Sequence, residues 1–350
     1  MAKAGSSKSI KPKSVIRRRS ETRALYAAGF STAIATAIGL CYFWGEYSAL
    51  FGRHSIGSLA SLVAAIAAFV AFLAAYNWPL KTAPKLWHRV RDLLTVAALA
   101  FIHAAICLLV VAVVFFLAQN AFLGLKLDQW VAAVLTGVSA GICGYAAYLA
   151  GSSMTTLRLS TSLAIFLVTG MMASMIKAND PYWWQLHFSS LGAGGTGSAV
   201  AFNLTLIVAG LVIICLADFI AADFGSLSGT SKPARVNTIR IMLTIIGLML
   251  AGVGLFKYDQ YPQLHFYSAA GMAFLFLAMM AALPRLAPNF SKAFIIFSYA
   301  IMGVILACVW LWKGVGYLNL TAFELVCTAI IFAWLVVFVR NLAVQTELSR

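Results

Sequence analysis

The chain has 350 residues, of which 62% are hydrophobic and only 10% are charged. An ordinary soluble domain contains roughly 45–50% apolar and about 25% charged residues, so the composition excludes that class and predicts a membrane protein. The net charge of +15 would fit a nucleic-acid-binding protein, but the basic residues lie in a tail and in short segments between apolar runs. We therefore expect membrane lipids and other membrane proteins as partners, and no nucleic acid.

Ten apolar runs follow one another along the chain, each close to the roughly 20 residues that a helix needs to cross a bilayer. They cover residues 25–44, 56–76, 93–118, 130–150, 159–176, 199–222, 238–256, 264–284, 293–312 and 319–339. Lipid offers the backbone no hydrogen-bond partner, so each run is expected to be helical. The predicted fold class is all-α, a polytopic integral membrane helical bundle with about ten transmembrane helices.

The distribution of Lys and Arg predicts the orientation of the bundle, because basic residues are enriched in cytoplasmic loops. With the N-terminus in the cytoplasm, only five of the 25 basic residues fall on the outer side: Arg53, Lys126, Lys177, Lys257 and Lys313. Both termini are then cytoplasmic. The predicted location is the cell membrane, which the chain crosses several times.

Four segments are predicted along the chain. Residues 1–24 form a basic cytoplasmic tail, 25–153 an N-terminal four-helix membrane region, 154–341 a six-helix membrane domain, and 342–350 a C-terminal cytoplasmic tail. The tail sequence KSIKPKSVIRRRSETR is polar and Ser-rich, and we expect it to be unfolded. Near anionic lipid, each of its basic residues would contribute about 1 kcal/mol.

A short sequence occurs twice in the six-helix domain, as QLHFSS at 185–190 and as QLHFYS at 263–268. On the predicted topology, both copies lie on the outer side, where a helix re-enters the membrane. An acid precedes each histidine, Asp180 before His187 and Asp259 before His265. Each loop therefore offers a carboxylate and an imidazole.

Two interpretations of the repeat remain open. In the structural one, Pro181 and Pro262 end the preceding helices, and each His, or Ser190 and Ser268, caps the next helix. In the functional one, the loops meet and their acids and histidines form one polar site for a metal, a proton or a lipid headgroup. Imidazoles titrate near neutral pH and also bind divalent metals, so His187 and His265 would be the metal ligands if there are any.

Other polar residues lie within the apolar runs. Glu324 lies about a turn and a half into the last run, and Asn203 lies at a similar depth in the sixth. An ionisable residue at such a depth usually has a partner or a task, so both are added to the predicted outer polar site. Asp218 is expected to reach the cytoplasmic interface, and His103 is interpreted as a packed polar contact.

Glycines suggest two local features. The stretch LGAGGTGSA at 191–199 has neither a preceding strand nor a GK[ST] ending, so it is interpreted as a flexible or re-entrant connection and not as a phosphate loop. Gly137 and Gly141 form a GxxxG pair, which predicts a close helix contact.

The sequences NDPYWWQLHFSSLG, SAVAFNLTLIVAGLVI and VGLFKYDQYPQLHFYSAAGMAF resemble DUF998, a bacterial family of polytopic membrane proteins of unknown function. The features that carry the resemblance are Phe202-Asn203, Gly254-Leu255-Phe256, Asp259 and His265. It covers roughly residues 155–340, the last six helices. The resemblance implies a fold and no established activity.

Two functions follow as hypotheses. The first is a non-enzymatic protein of the cell envelope, with a transporter-like, sensory or scaffold role, whose outer Asp/His site binds a headgroup, an ion or a partner. The alternative is a metal-dependent intramembrane hydrolase or lipid-modifying enzyme, in which both histidines and an acid hold the metal. That alternative is weakened because the chain has no HExxH or HxxxH spacing around these histidines. No cofactor is expected.

The polar site also predicts a pH dependence. A carboxylate next to His187 or His265 would raise the pKa of that histidine by favouring imidazolium. The outer cluster would then be more ordered in mild acid than at pH 8.

Overall fold

The computed structural model describes residues 13–76, 86–226, 233–288 and 290–348. Ten α-helices lie in these ranges, and each contains a stretch long and apolar enough to cross a membrane. They are α1 (Lys13–Tyr42), α2 (Ile56–Ala75), α3 (Leu86–Ala121), α4 (Gln129–Ser152), α5 (Thr156–Ile176), α6 (Gly197–Ser226), α7 (Pro233–Leu255), α8 (Pro262–Leu286), α9 (Lys292–Lys313) and α10 (Leu320–Leu348). The all-α fold class and the multi-pass membrane architecture are confirmed.

Strands β1 (Ser48–Ala49) and β2 (Lys126–Leu127) form one short antiparallel pair. Several helices extend beyond the predicted runs, and the clearest case is α1, which begins at Lys13 and not near residue 25. The expectation of an unfolded tail is therefore wrong for residues 13–24, because no Gly or Pro interrupts them and Arg and Glu favour helix. The rest of the predicted tail, residues 1–12, lies outside the described residues.

The chain divides into two compact units, Met1–Ser153 and Met154–Arg350. In the first unit, α4 packs against α1 and α2. The GxxxG pair lies at the contact with α1, where a Cβ on Gly137 or Gly141 would overlap the hydroxyl of Thr36 or Thr32. The predicted close approach is thus present, and its partner is α1.

His103 of α3 is buried, and its Nδ1 lies 2.8 Å from the carbonyl oxygen of Leu99. Its ring stacks on Phe72 of α2, with 4.6 Å between ring centroids. The interpretation of His103 as a packed polar contact is confirmed.

The second unit is built from α5 to α10. Consecutive helices pack from α5 to α8, and α10 packs against α5, α6 and α9. Helices α6 and α7 are in close backbone contact at Gly210 and Gly247, where a Cβ on either glycine would overlap the backbone of the other helix. Glycine at both positions therefore sets the distance between these two helices.

An ion pair also joins α6 to α7, because Arg240 Nε lies 2.7 Å from Asp218 Oδ1. Asp218 was expected only to reach the interface. Each of the two side chains is close to half exposed, so the pair contributes little to stability, on the order of 1 kcal/mol or less.

Candidate functional site

The first copy of the repeated sequence lies in the α5–α6 connection, and the second copy forms the start of α8, next to the α7–α8 connection. The α5–α6 connection contains two 3₁₀ segments, Trp183–Gln185 and Phe188–Gly192. The α7–α8 connection is short, and α8 already begins at Pro262. We call residues 177–196, residues 256–261 and the first two turns of α8 and α10 the paired-loop face.

Both histidines of the repeat lie against one tyrosine. The ring of Tyr258 is 4.2 Å from that of His187 and 5.9 Å from that of His265, measured between centroids, and both contacts are edge-to-face. The loops therefore meet, as the functional interpretation of the repeat required. Tyr258 connects the two histidines, and sequence reasoning did not single it out.

The two histidines have different environments. His265 is buried, and its Nδ1 lies 2.9 Å from the carbonyl oxygen of Phe256, so it ties the end of α7 to the first turn of α8. His187 is partly exposed, and its ring nitrogens form no hydrogen bond with any described residue. The expectation that both histidines cap helices is therefore wrong. Pro262 was expected to end the preceding helix, but α7 already ends at Leu255, and Pro262 is the first residue of α8.

The serines of the repeat do not cap helices either. Ser190 donates to the carbonyl oxygen of Trp183 within its own connection, at 3.2 Å. Ser268 lies nearly two turns into α8, where its hydroxyl faces Gly252 of α7.

The carboxylates of the predicted site bind backbone amides. Asp259 accepts a hydrogen bond from the Gly194 N–H at 2.9 Å, and Lys257 Nζ donates to the Gly194 carbonyl oxygen at 3.2 Å. The α7–α8 connection thus binds both the N–H and the carbonyl oxygen of Gly194 in the α5–α6 connection. Gly194 has φ +72°, a conformation that glycine adopts without strain.

Glu324 of α10 performs a similar task, because its Oε2 accepts the N–H of Phe188 at 2.5 Å. The Phe188 side chain is buried and packs edge-to-face on Phe202 of α6. Asn203, the next residue of α6, donates from Nδ2 to the Gly192 carbonyl oxygen at 2.8 Å. The glycine-rich connection, expected to be flexible or re-entrant, is therefore anchored by side chains of α6, α10 and the α7–α8 connection.

Asp180 lies apart from this arrangement. It is exposed and accepts the N–H of Tyr182 at 2.8 Å, which closes a local turn. Of the six predicted site residues, the paired-loop face thus brings together His187 and His265 around Tyr258. Asp259, Glu324 and Asn203 bind the backbone of residues 188–194, and Asp180 bonds only within its own turn.

This geometry reverses the expected pH dependence of His187. Partial burial, and then repulsion from the neighbouring His265, lower the pKa of His187 from its ordinary value. The expectation of a raised pKa assumed a carboxylate beside the ring, whereas the nearby acids accept backbone N–H groups. A folded state that binds protons more weakly than the unfolded one loses stability as pH falls. We therefore expect His187 to make the paired-loop face less stable in mild acid than at pH 8.

The metal-enzyme alternative requires at least three ligands plus a water. Across the described parts of the chain, His, Cys, Asp and Glu side chains form no group of three or more that could hold a metal ion. His187 and His265 come close to each other without an acid to complete a ligand set.

Fold and composition define a multi-pass membrane protein, with ten candidate membrane-spanning helices in the described parts of the chain. The family described as "protein of unknown function (DUF998)" matches residues 160–341, slightly more than half of the chain. The chain belongs to this family, which confirms the resemblance over the last six helices. No curated protein and no solved structure matches the chain.

Proposed function

We propose that this is a non-enzymatic protein of the bacterial plasma membrane, with a transporter-like or sensory role. The paired-loop face is open to the outside and binds a small anionic group at His187. The outward orientation follows from the basic residues, since only five of 25 lie on that side when the N-terminus is cytoplasmic.

This function is supported by the different hydrogen bonding of the acids and of His187. The carboxylates of Asp259 and Glu324 accept backbone N–H groups, whereas the ring nitrogens of His187 bond to none of the described residues. An imidazolium has two N–H donors and a positive charge, and both suit an anion.

Proton uptake connects this ligand to pH. Partial burial, and then repulsion from His265, oppose protonation of His187. A bound anion would offset that repulsion and favour the protonated ring. Binding is therefore expected to be tighter in mild acid, where the empty face is least stable. Such a coupling between ligand and proton is what a sensor or a proton-linked carrier needs.

Complementation of a deletion strain tests this function. His187→Ala is expected to fail to restore the wild-type phenotype, because it removes the only repeat histidine whose ring is available to a ligand. The matched control is Gln185→Ala, which changes an exposed residue of the same connection and is expected to restore the phenotype. Protein levels in the membrane are compared by immunoblot. Full complementation by His187→Ala would contradict the proposal.

A further inference from the structure

The hydroxyl of Thr321, in the first turn of α10, is the buried side-chain polar atom that has no hydrogen-bond partner among the described residues. The residue is only 3% exposed. Leaving a buried hydroxyl unpaired costs about 1–3 kcal/mol. Such groups are rare in folded proteins and often mark a position where an ion or a water belongs.

Glu324 lies three residues further along α10, and side chains three apart share a helix face, with about 5–6 Å between their Cβ atoms. Its Oε2 accepts the Phe188 N–H. Its other oxygen, Oε1, accepts no hydrogen bond from the described part of the chain. One face of α10 thus presents two oxygen atoms without partners, one of them on a carboxylate.

The Glu324 carboxylate lies in surroundings where a nearby positive charge would stabilise it. Glu324 lies within a span long and apolar enough for the membrane, Leu320–Val344, where an uncompensated charge is unfavourable. The ion pair found among the described residues joins Arg240 to Asp218 and not to Glu324. Glu324 is also in the second turn, beyond the first turn in which the positive end of a helix stabilises an anion.

We propose that Thr321 and Glu324 are ligands of a sodium ion at the start of α10. Hydroxyl and carboxylate oxygens are hard ligands that suit alkali and alkaline-earth cations. A single carboxylate is neutralised by a monovalent ion, whereas a divalent one would leave an uncompensated positive charge. Bound sodium would also fix the carboxylate that holds Phe188, and so stabilise the 3₁₀ segment of the paired-loop face. This site goes beyond the proposed function and does not depend on a ligand at His187.

The test is thermal unfolding of the purified full-length protein in nanodiscs, titrated with NaCl against choline chloride at constant ionic strength and pH 8. The wild-type unfolding temperature is expected to rise by a few degrees and to saturate with sodium, and KCl is expected to have a smaller effect. Thr321→Val keeps the shape of the side chain and removes the hydroxyl. This variant should lose the sodium response while its sodium-free unfolding temperature equals or exceeds that of the wild type, because the unpaired hydroxyl is gone.

Two further variants keep the result interpretable. Glu324→Gln retains an acceptor for the Phe188 N–H and removes the charge, so it should also lose the response. Thr169→Val is the matched control, since it removes a half-buried hydroxyl that bonds within its own helix, α5, and not with α10, and it should keep the response. His187→Ala should keep it as well, which separates failure of this proposal from failure of the proposed function.

Three results would overturn the sodium site. One is a wild-type unfolding temperature that does not depend on sodium, and another is a full response in Thr321→Val. The third is a response that follows pH while sodium has no effect, which would assign the neutralising charge to a proton on Glu324.

Discussion

Trp334→Ala is expected to destabilise the second unit by about 3–5 kcal/mol, the usual range for deleting a buried aromatic side chain. Trp334 is fully buried in α10, and its ring stacks on Phe338 with centroids 5.1 Å apart. It also makes an edge-to-face contact with Phe276 of α8 at 5.1 Å. Alanine would leave a cavity among these rings, and the surroundings of a deleted core side chain usually relax only in part.

Two variants separate the parts of this effect. Trp334→Phe keeps an aromatic ring and loses the hydrogen bond from Nε1 to Ser298 Oγ, 2.8 Å long, so a loss of about 1 kcal/mol is expected from that bond. Trp310→Ala is the control, because Trp310 is 63% exposed on α9. Unfolding in detergent is measured by near-ultraviolet circular dichroism. Equal stability of Trp334→Ala and Trp310→Ala would show that the aromatic contacts do not hold α8, α9 and α10 together.

Gly210→Ala is expected to destabilise the same unit by about 3 kcal/mol, at the upper end of the usual effect of overpacking. The new Cβ would overlap the Gly247 carbonyl oxygen and lie 2.7 Å from the amide nitrogen of Ala251. Both are backbone atoms, so no side-chain rotation relieves the contact. Helices α6 and α7 would have to move apart along their length.

The control for this glycine is Gly303→Ala in α9, where a Cβ would meet no atom within 4 Å. That variant is expected to be neutral or slightly stabilising, by up to about 1 kcal/mol, because alanine favours helix. Gly210→Ala and Gly247→Ala each introduce an overlap at the same helix contact. Once the helices have moved apart to fit one new Cβ, the second costs less, so the two losses of stability should not add. Thermal unfolding of the two single variants and the double variant measures this. Additive losses would contradict the shared contact.

The helices were predictable because a helix that crosses the membrane needs an apolar run of roughly 20 residues, which hydropathy detects. All ten runs became helices, and the main differences lie at their ends, as in α1. Hydropathy does not mark those ends, because charged residues such as Arg19 and Glu21 are hydrophilic and yet have a high helix propensity. A helix can therefore continue beyond its apolar run. The composition thus predicts which segments cross the membrane better than where each helix stops.

The repeat shows what the sequence could not determine. The same four letters, QLHF, form part of an irregular connection in the first copy and the first turn of α8 in the second. Pro262 directly precedes the second copy, and its fixed φ starts the helix there. Trp184 precedes the first copy, and the glycines that follow it favour turns. Identical residues therefore reach different environments, one histidine buried and the other partly exposed.

The contacts of the site depended on backbone groups that a sequence pattern does not display. Asp259 and Glu324 were chosen as partners for histidines, whereas they accept N–H groups of Gly194 and Phe188. The one available indication of such backbone contacts was the glycine-rich stretch, because glycine has no side chain to shield its amide from other elements. Lys257 and Tyr258 adjoin Asp259 and could have been predicted to share its location.

We infer that the two loops form one face on which His187 takes up a proton against partial burial and, secondly, against the repulsion of His265. Histidine NMR titration in nanodiscs, with His187 assigned by substitution, tests it most directly. We expect His187 to titrate below about 6.5, and His265→Asn, which keeps a side-chain N–H donor for Phe256, to raise that value part of the way. Asp259→Asn should leave it nearly unchanged, because Asp259 is occupied by Gly194. A His187 that titrates above 6.5, and that shifts downward in Asp259→Asn, would mean an acid–histidine pair and would contradict this account.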